Sequence, residues 1–150
     1  MEKKQIITIL QHAKLDHVQW INQARRVVNG KPRNQIKKPI SCTECLLGRW
    51  HDKEGYKMIN IQHLAALEKL HREIHSLYTA IYYITFERRK TARSTILSGD
   101  KEIPVDEKQF RRQKLKVLEK KTITFVRLLS KIEREVADME LEVFDSPWLN

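Results

Sequence analysis

The sequence predicts an all-α protein: a helix bundle, four-helix-bundle-like, with three to four long helices and one short helix. Three observations support this. Apolar residues recur at alternating steps of three and four over three long stretches. Only four glycines and four prolines punctuate 150 residues. No stretch alternates apolar and polar residues as a half-buried strand does.

The first long helix is expected over residues 2–28, where Ile6, Leu10, Ala13, His17, Trp20, Ala24 and Val27 form one seam. Asn29-Gly30 stops it, and Pro32 and Pro39 keep residues 30–41 from being helical. A short helix is expected over 42–51, with Ser41 as its cap and Glu44 completing a capping box, broken at Gly55. The second long helix is expected from about 60 to 92. Its seam is Leu64, Leu67, His71, Ile74, Tyr78, Ile81 and Thr85, with Leu70, His75 and Tyr82 beside it. Residues 93–106 form the expected connecting loop, clearest in SGDKEIPVD at 98–106. The third long helix is expected from about 107 to 143, striped by Leu115, Leu118, Thr122, Phe125, Leu129, Ile132, Val136, Met139 and Val143. A tail, 144–150, follows, with Pro147 as the stop. A chain of this length is expected to form a single domain, 1–150.

No apolar run reaches the ~20 residues that a membrane span requires. The N-terminus MEKKQIITIL lacks the apolar block and small-residue cleavage site of a signal peptide. With only two cysteines, the expected compartment is the reducing cytoplasm, where thiols bind metal or react more often than they crosslink. The net charge of +10 is concentrated, because residues 88–121 hold twelve Lys/Arg against five Asp/Glu and the rest carries only +3. A solvated helix face and loop is the simplest account. An acidic protein, nucleic acid or membrane surface is the competing one, and no aromatic interleaving supports nucleic acid.

Histidines and cysteines carry the chemical information. Of six histidines, His17, His71 and His75 fall on the apolar stripes. His71 and His75 stand one turn apart, a spacing that lets both imidazoles reach one ion. A buried imidazole needs partners for two nitrogens, and an apolar bundle has few. Cys42 and Cys45 lie nearly one turn apart in CTEC. No βαβ pattern accompanies them, as a thioredoxin-like pair requires, and no second cysteine pair completes a zinc ribbon. Three histidines and one cysteine complete a tetrahedral Zn²⁺ shell; the spacing leaves open which cysteine it is.

The segments DHVQWI at 16–21, CLLGRW at 45–50 and HREIH at 71–75 resemble, in that order, the motifs of the chemoreceptor zinc-binding domain, a bacterial family. The resemblance spans roughly residues 5–140. It implies zinc ligands at His17, Cys45, His71 and His75, with Cys42 a spare thiol. It also implies packing roles for Trp20 and Trp50, and Gly48 is expected to permit close approach of the short helix. Members of the family are regulatory modules that report zinc, or oxidants reacting with the zinc-bound thiolate. They are usually appended to cytoplasmic chemoreceptors or diguanylate cyclases and commonly dimerise.

The expected function is therefore a zinc sensor, not an enzyme. It is expected to be a homodimer that controls a signalling protein in trans, a diguanylate cyclase or chemoreceptor, either as a stand-alone member or as an excised piece. The alternative is a helical adaptor with a purely structural zinc and a basic face for an acidic protein or nucleic acid. A zinc hydrolase is a third possibility. It needs an open coordination position and a base, for which Glu44 and Glu73 are the candidates, and Glu73 points away from both neighbouring histidines.

Overall fold

The computed structural model describes residues 2–57, 61–95 and 105–139. These residues form four α-helices: α1 (Lys3–Val28), α2 (Leu46–Lys53), α3 (Ile61–Thr95) and α4 (Val105–Asp138). Single 3₁₀ turns occur at Arg33–Gln35 and Gly55–Lys57, and no strand occurs among the described residues. The all-α bundle is the one the periodicity predicts.

Side-chain pairs fix the helix directions. Gln11 and Lys14 near the start of α1 meet Glu133 near the end of α4, while Arg25 meets Glu119. So α1 and α4 are antiparallel. The pairs His63–Glu135 and Glu73–Lys121 set α3 antiparallel to α4 in the same way. Accordingly α1 and α3 run parallel, and the chain between them must return along the bundle.

That return is the fourth layer. Arg33 donates to the Tyr82 hydroxyl at 3.1 Å, the Tyr78 hydroxyl donates to the Lys37 carbonyl, His75 contacts the Ile40 carbonyl, and Cys45 contacts His71. Each contact lies farther back along α3 than the one before. An irregular segment with one short helix thus occupies the place of the fourth helix in a four-helix bundle.

The three stripes meet in one core. Ile6, Leu10, Ala24 and Val27 from α1, Leu67, Ile74 and Ile81 from α3, and Leu118, Phe125, Leu129 and Ile132 from α4 are all buried, with Leu47 and Trp50 from α2. Gly30 ends α1 at φ 85°, a left-handed conformation that glycine adopts without a Cβ penalty.

Three local expectations are corrected. Ile21, not Trp20, continues the buried seam of α1; Trp20 lies at its margin, 5.0 Å from the Tyr78 ring. Ser41 does not cap the short helix, which begins at Leu46 with Cys45 as its cap. Ser41 instead bonds the Thr43 hydroxyl at 2.8 Å, and residues 42–44 form a turn. The expected loop at 93–106 is helical at 93–95 and 105–106, because no glycine or proline interrupts either stretch. Residues 96–104 of that loop, Val143 and the tail 144–150 lie outside the described residues.

Candidate metal centre

Four side chains from three elements converge beneath the return segment. His17 comes from α1, His71 and His75 from α3, and Cys45 from the N-cap of α2. One donor atom from each lies within 4.8 Å of all the others, and all four residues are buried. Cys42 is not among them; it is half-buried, and its thiol is free. Among the other histidines, His51 faces Asp52 and Glu68, and His63 pairs with Glu135.

Hydrogen bonds fix which imidazole nitrogens face inward. His17 Nδ1 lies 2.7 Å from the Ala13 carbonyl, one helical turn back. His75 Nδ1 lies 2.9 Å from the Ile40 carbonyl on the return segment. A carbonyl oxygen only accepts, so both Nδ1 atoms carry the proton, and both Nε2 atoms present lone pairs. Those two Nε2 atoms are 3.2 Å apart, facing each other. Two lone pairs at that distance repel unless a cation stands beside both. His71 Nε2 lies 3.1 Å from Cys45 Sγ, which brings the fourth donor to the same point.

Electrostatics agree with neutral ligands. Burial depresses the His17 pKa to about 4 and that of His71 to about 2, and it lowers His75 as well. The rings also disfavour one another's protonation, His75 acting on His17 and both acting on His71. Burial pushes the Cys45 thiol up, partly offset by the Gly48 and Leu47 amides at the start of α2. Without a cation, Cys45 is therefore held as a neutral thiol among neutral rings. A tetrahedral ion with bonds of roughly 2.0–2.3 Å has donor–donor edges of about 3.3–3.7 Å, the scale of this cluster. The donor set fits Zn²⁺: borderline-soft, four-coordinate, nitrogen and sulfur.

The surroundings hold the rings in place. Phe125 of α4 stacks on His71 at 5.7 Å and 11° and packs against His17 at 4.8 Å. Trp20 tilts over His75 at 6.3 Å. Gly48 is needed for the cysteine to reach the site, since a Cβ there would lie 1.8 Å from the Cys42 carbonyl oxygen. Gly55 likewise lets the Trp50 ring sit flat under the chain, where a Cβ would come within 2.6 Å.

Residues 17–82 match the chemoreceptor zinc-binding domain family. The matched segment begins at His17 and contains all four donors, so it is a zinc-binding domain on two independent grounds: the family match and the buried cluster. It is shorter than the 5–140 span suggested by the motifs, and α4 lies outside it. No curated protein and no solved structure matches the chain.

Several contributors escaped sequence reasoning. The Ala13 and Ile40 carbonyls act through the backbone and leave no mark in residue type. Phe125 is legible as a core residue of a stripe, but its place against two imidazoles depends on how α4 docks. Lys121 holds Glu73 on the α4 side of the bundle, away from the cluster, and lowers its pKa.

Proposed function

We propose that the protein is a zinc-dependent regulatory module in which His17, Cys45, His71 and His75 coordinate one Zn²⁺. The facing Nε2 atoms of His17 and His75, each with its Nδ1 proton committed to a carbonyl, carry this reading. When bound, the ion holds Cys45 as a thiolate and joins α1, α3 and the start of α2 at one point. The chain's own residues set the consequences. His75 links the site to Ile40, and Cys45 links it to the 42–45 turn, so ligation and the position of the return segment are coupled. A signalling partner, a diguanylate cyclase or chemoreceptor, that touches the return segment reads that position. Loss of Cys45 as a donor, through scarcity of zinc or oxidation of the thiolate, is the switching event. The active unit is a homodimer in the cytoplasm.

The reading is of a binding module, not an enzyme. Four protein donors fill a tetrahedral shell and leave no position for substrate. Of the two carboxylates suited to act as a base, Glu73 is engaged by Lys121 and Glu44 is exposed outside the cluster.

Elemental analysis of the purified protein tests this, with Cys45→Ala and His71→Ala in parallel. Equimolar zinc in the wild type, lost or weakened in both variants, is expected. A folded wild type that cannot take up zinc rules the proposal out.

A further inference from the structure

The CTEC segment leaves one thiol without a role. Residues 42–44 form a hydrogen-bonded turn that leads directly into Cys45, with the Glu44 amide donating to the Ser41 carbonyl at 3.1 Å. That bond spans residues 41–44 and Cys45 follows it directly, so only Thr43 and Glu44 separate the two cysteines across the bend. The Cys45 sulfur already sits over the backbone of Cys42, 3.5 Å from its carbonyl oxygen. Gly48 permits that approach, because any Cβ there would collide with the same oxygen.

The two thiols also differ in access. Cys45 lines a cleft of about 500 Å³ with Trp20, Ile40 and Arg49. Cys42 lines a separate cleft of about 200 Å³ with His51, Glu68 and His71. The larger cleft is lined by Cys45 and not by Cys42.

We infer that Cys42 is the resolving thiol for Cys45: after a peroxide-class oxidant converts Cys45 to a sulfenic acid, Cys42 closes a Cys42–Cys45 disulfide and withdraws Cys45 as a zinc donor. The inference rests on the proposed role of Cys45 as a metal donor that oxidation removes. In the first step the Cys45 thiolate attacks a peroxide oxygen. The S–O bond forms, the O–O bond breaks, and the second oxygen leaves with a proton as water or an alcohol. In the second step the Cys42 thiolate attacks the Cys45 sulfur. The S–S bond forms, the S–O bond breaks, and hydroxide leaves as water on taking a proton. The two cysteines together lose two electrons, and the peroxide gains them. A sulfenic acid with no second thiol advances to sulfinic acid, which thiol reductants do not reverse, whereas a disulfide is reopened by them. Cys42 thus makes the switch resettable.

The test compares zinc-loaded wild type with Cys42→Ser after exposure to hydrogen peroxide. Intact mass, free-thiol titration and zinc release to a chromophoric chelator are read. Wild type is expected to lose both thiols together, to lose two hydrogens without gaining oxygen, to release zinc, and to recover zinc uptake with dithiothreitol. Cys42→Ser is expected to gain oxygen to the sulfinic level at Cys45 and to stay unable to rebind zinc after dithiothreitol. Wild type that gains oxygen at Cys45 while Cys42 remains a free thiol overturns the inference, as does a disulfide formed only between chains. Zinc content measured beforehand separates the two failures. A folded chain that takes up no zinc defeats the proposed function, while mass and thiol counts on that same metal-free protein still decide whether Cys42 resolves Cys45.

Discussion

His17 and His75 show how two backbone carbonyls can set a metal centre. Each Nδ1 proton is spent on a carbonyl, so each ring offers one lone pair, and both are aimed at the same space. The cost of this arrangement appears when no metal is bound. The folded-state pKa of His17 is about 4 against an ordinary value of 6.5, and His71 and His75 are lowered too. As pH falls, the unfolded chain takes up protons on these rings before the folded one does, so protonation favours unfolding. For the chelator-treated protein, stability is expected to be full above about pH 6.5 and to decline as pH falls toward 4. Thermal melts followed by circular dichroism across that range check this. A flat melting temperature between pH 7 and 5 would show that the rings are not buried as described. Replacing His17 with Gln, which keeps a polar group but offers a poorer donor, is expected to lower bound zinc, read by elemental analysis.

Two residues, Gly48 at the start of α2 and Phe125 on α4, shape the centre without supplying a ligand. The start of α2 depends on Gly48: its missing side chain admits the Cys42 carbonyl, and its amide lies 3.4 Å from Cys45 Sγ. Gly48→Ala is expected to push the 42–45 turn away from α2, destabilising the fold by roughly 1–3 kcal/mol, as overpacking does, and weakening zinc retention. Denaturant unfolding and competition with a chelator measure the two effects. An unchanged zinc affinity would mean that the turn can shift without moving Cys45. On α4, Phe125 is fully buried and covers both His71 and His17. Phe125→Ala is expected to cost about 3–5 kcal/mol of stability. Because it also frees two ligand rings, it should weaken zinc binding more than Leu129→Ala, a core truncation one turn along the same buried stripe. Equal effects of the two variants on zinc would reduce α4 to a simple packing partner.

For the molecule as a whole, zinc adds one shared attachment point to parts otherwise joined by packing and by scattered ion pairs and hydrogen bonds. A ligand bound to the folded state alone adds about 2.7 kcal/mol at a hundredfold excess over its Kd, roughly 5–10 °C of melting temperature for a chain of this size. Chelation is therefore expected to lower the melting temperature by at least several degrees, reversed by adding zinc. The homodimer is tested by size-exclusion with light scattering at tens of micromolar, where a monomer would count against it. Leu15, Val18, Val117 and Ile123 are large apolar side chains left exposed, and charged substitutions among them locate a dimer face if one exists. No helix among the described residues is long and apolar enough to cross a membrane.

Much of the bundle was legible because helix periodicity is local. Ile6, Leu10, Ala13 and His17 repeat on one face whatever they pack against, and so do Leu118, Thr122, Phe125 and Leu129. His71 and His75 could be paired from their spacing alone, since residues four apart share a face in any α-helix. Spacing could not choose between Cys42 and Cys45; the family motif did, and the fold brings Cys45, rather than Cys42, to the histidines. The Ser41 cap failed for a related reason. Capping boxes compete with sulfur as a cap and with the close approach that Gly48 allows, and that contest is settled only when α2 docks. Ring tautomers, the choice of Nε2 as the inward donor and the cover supplied by Phe125 depend on backbone carbonyls and on a helix far away in sequence. The local pattern names which residues face the core; only packing the chain in three dimensions decides which atoms meet there, because those contacts join segments that no short-range rule connects.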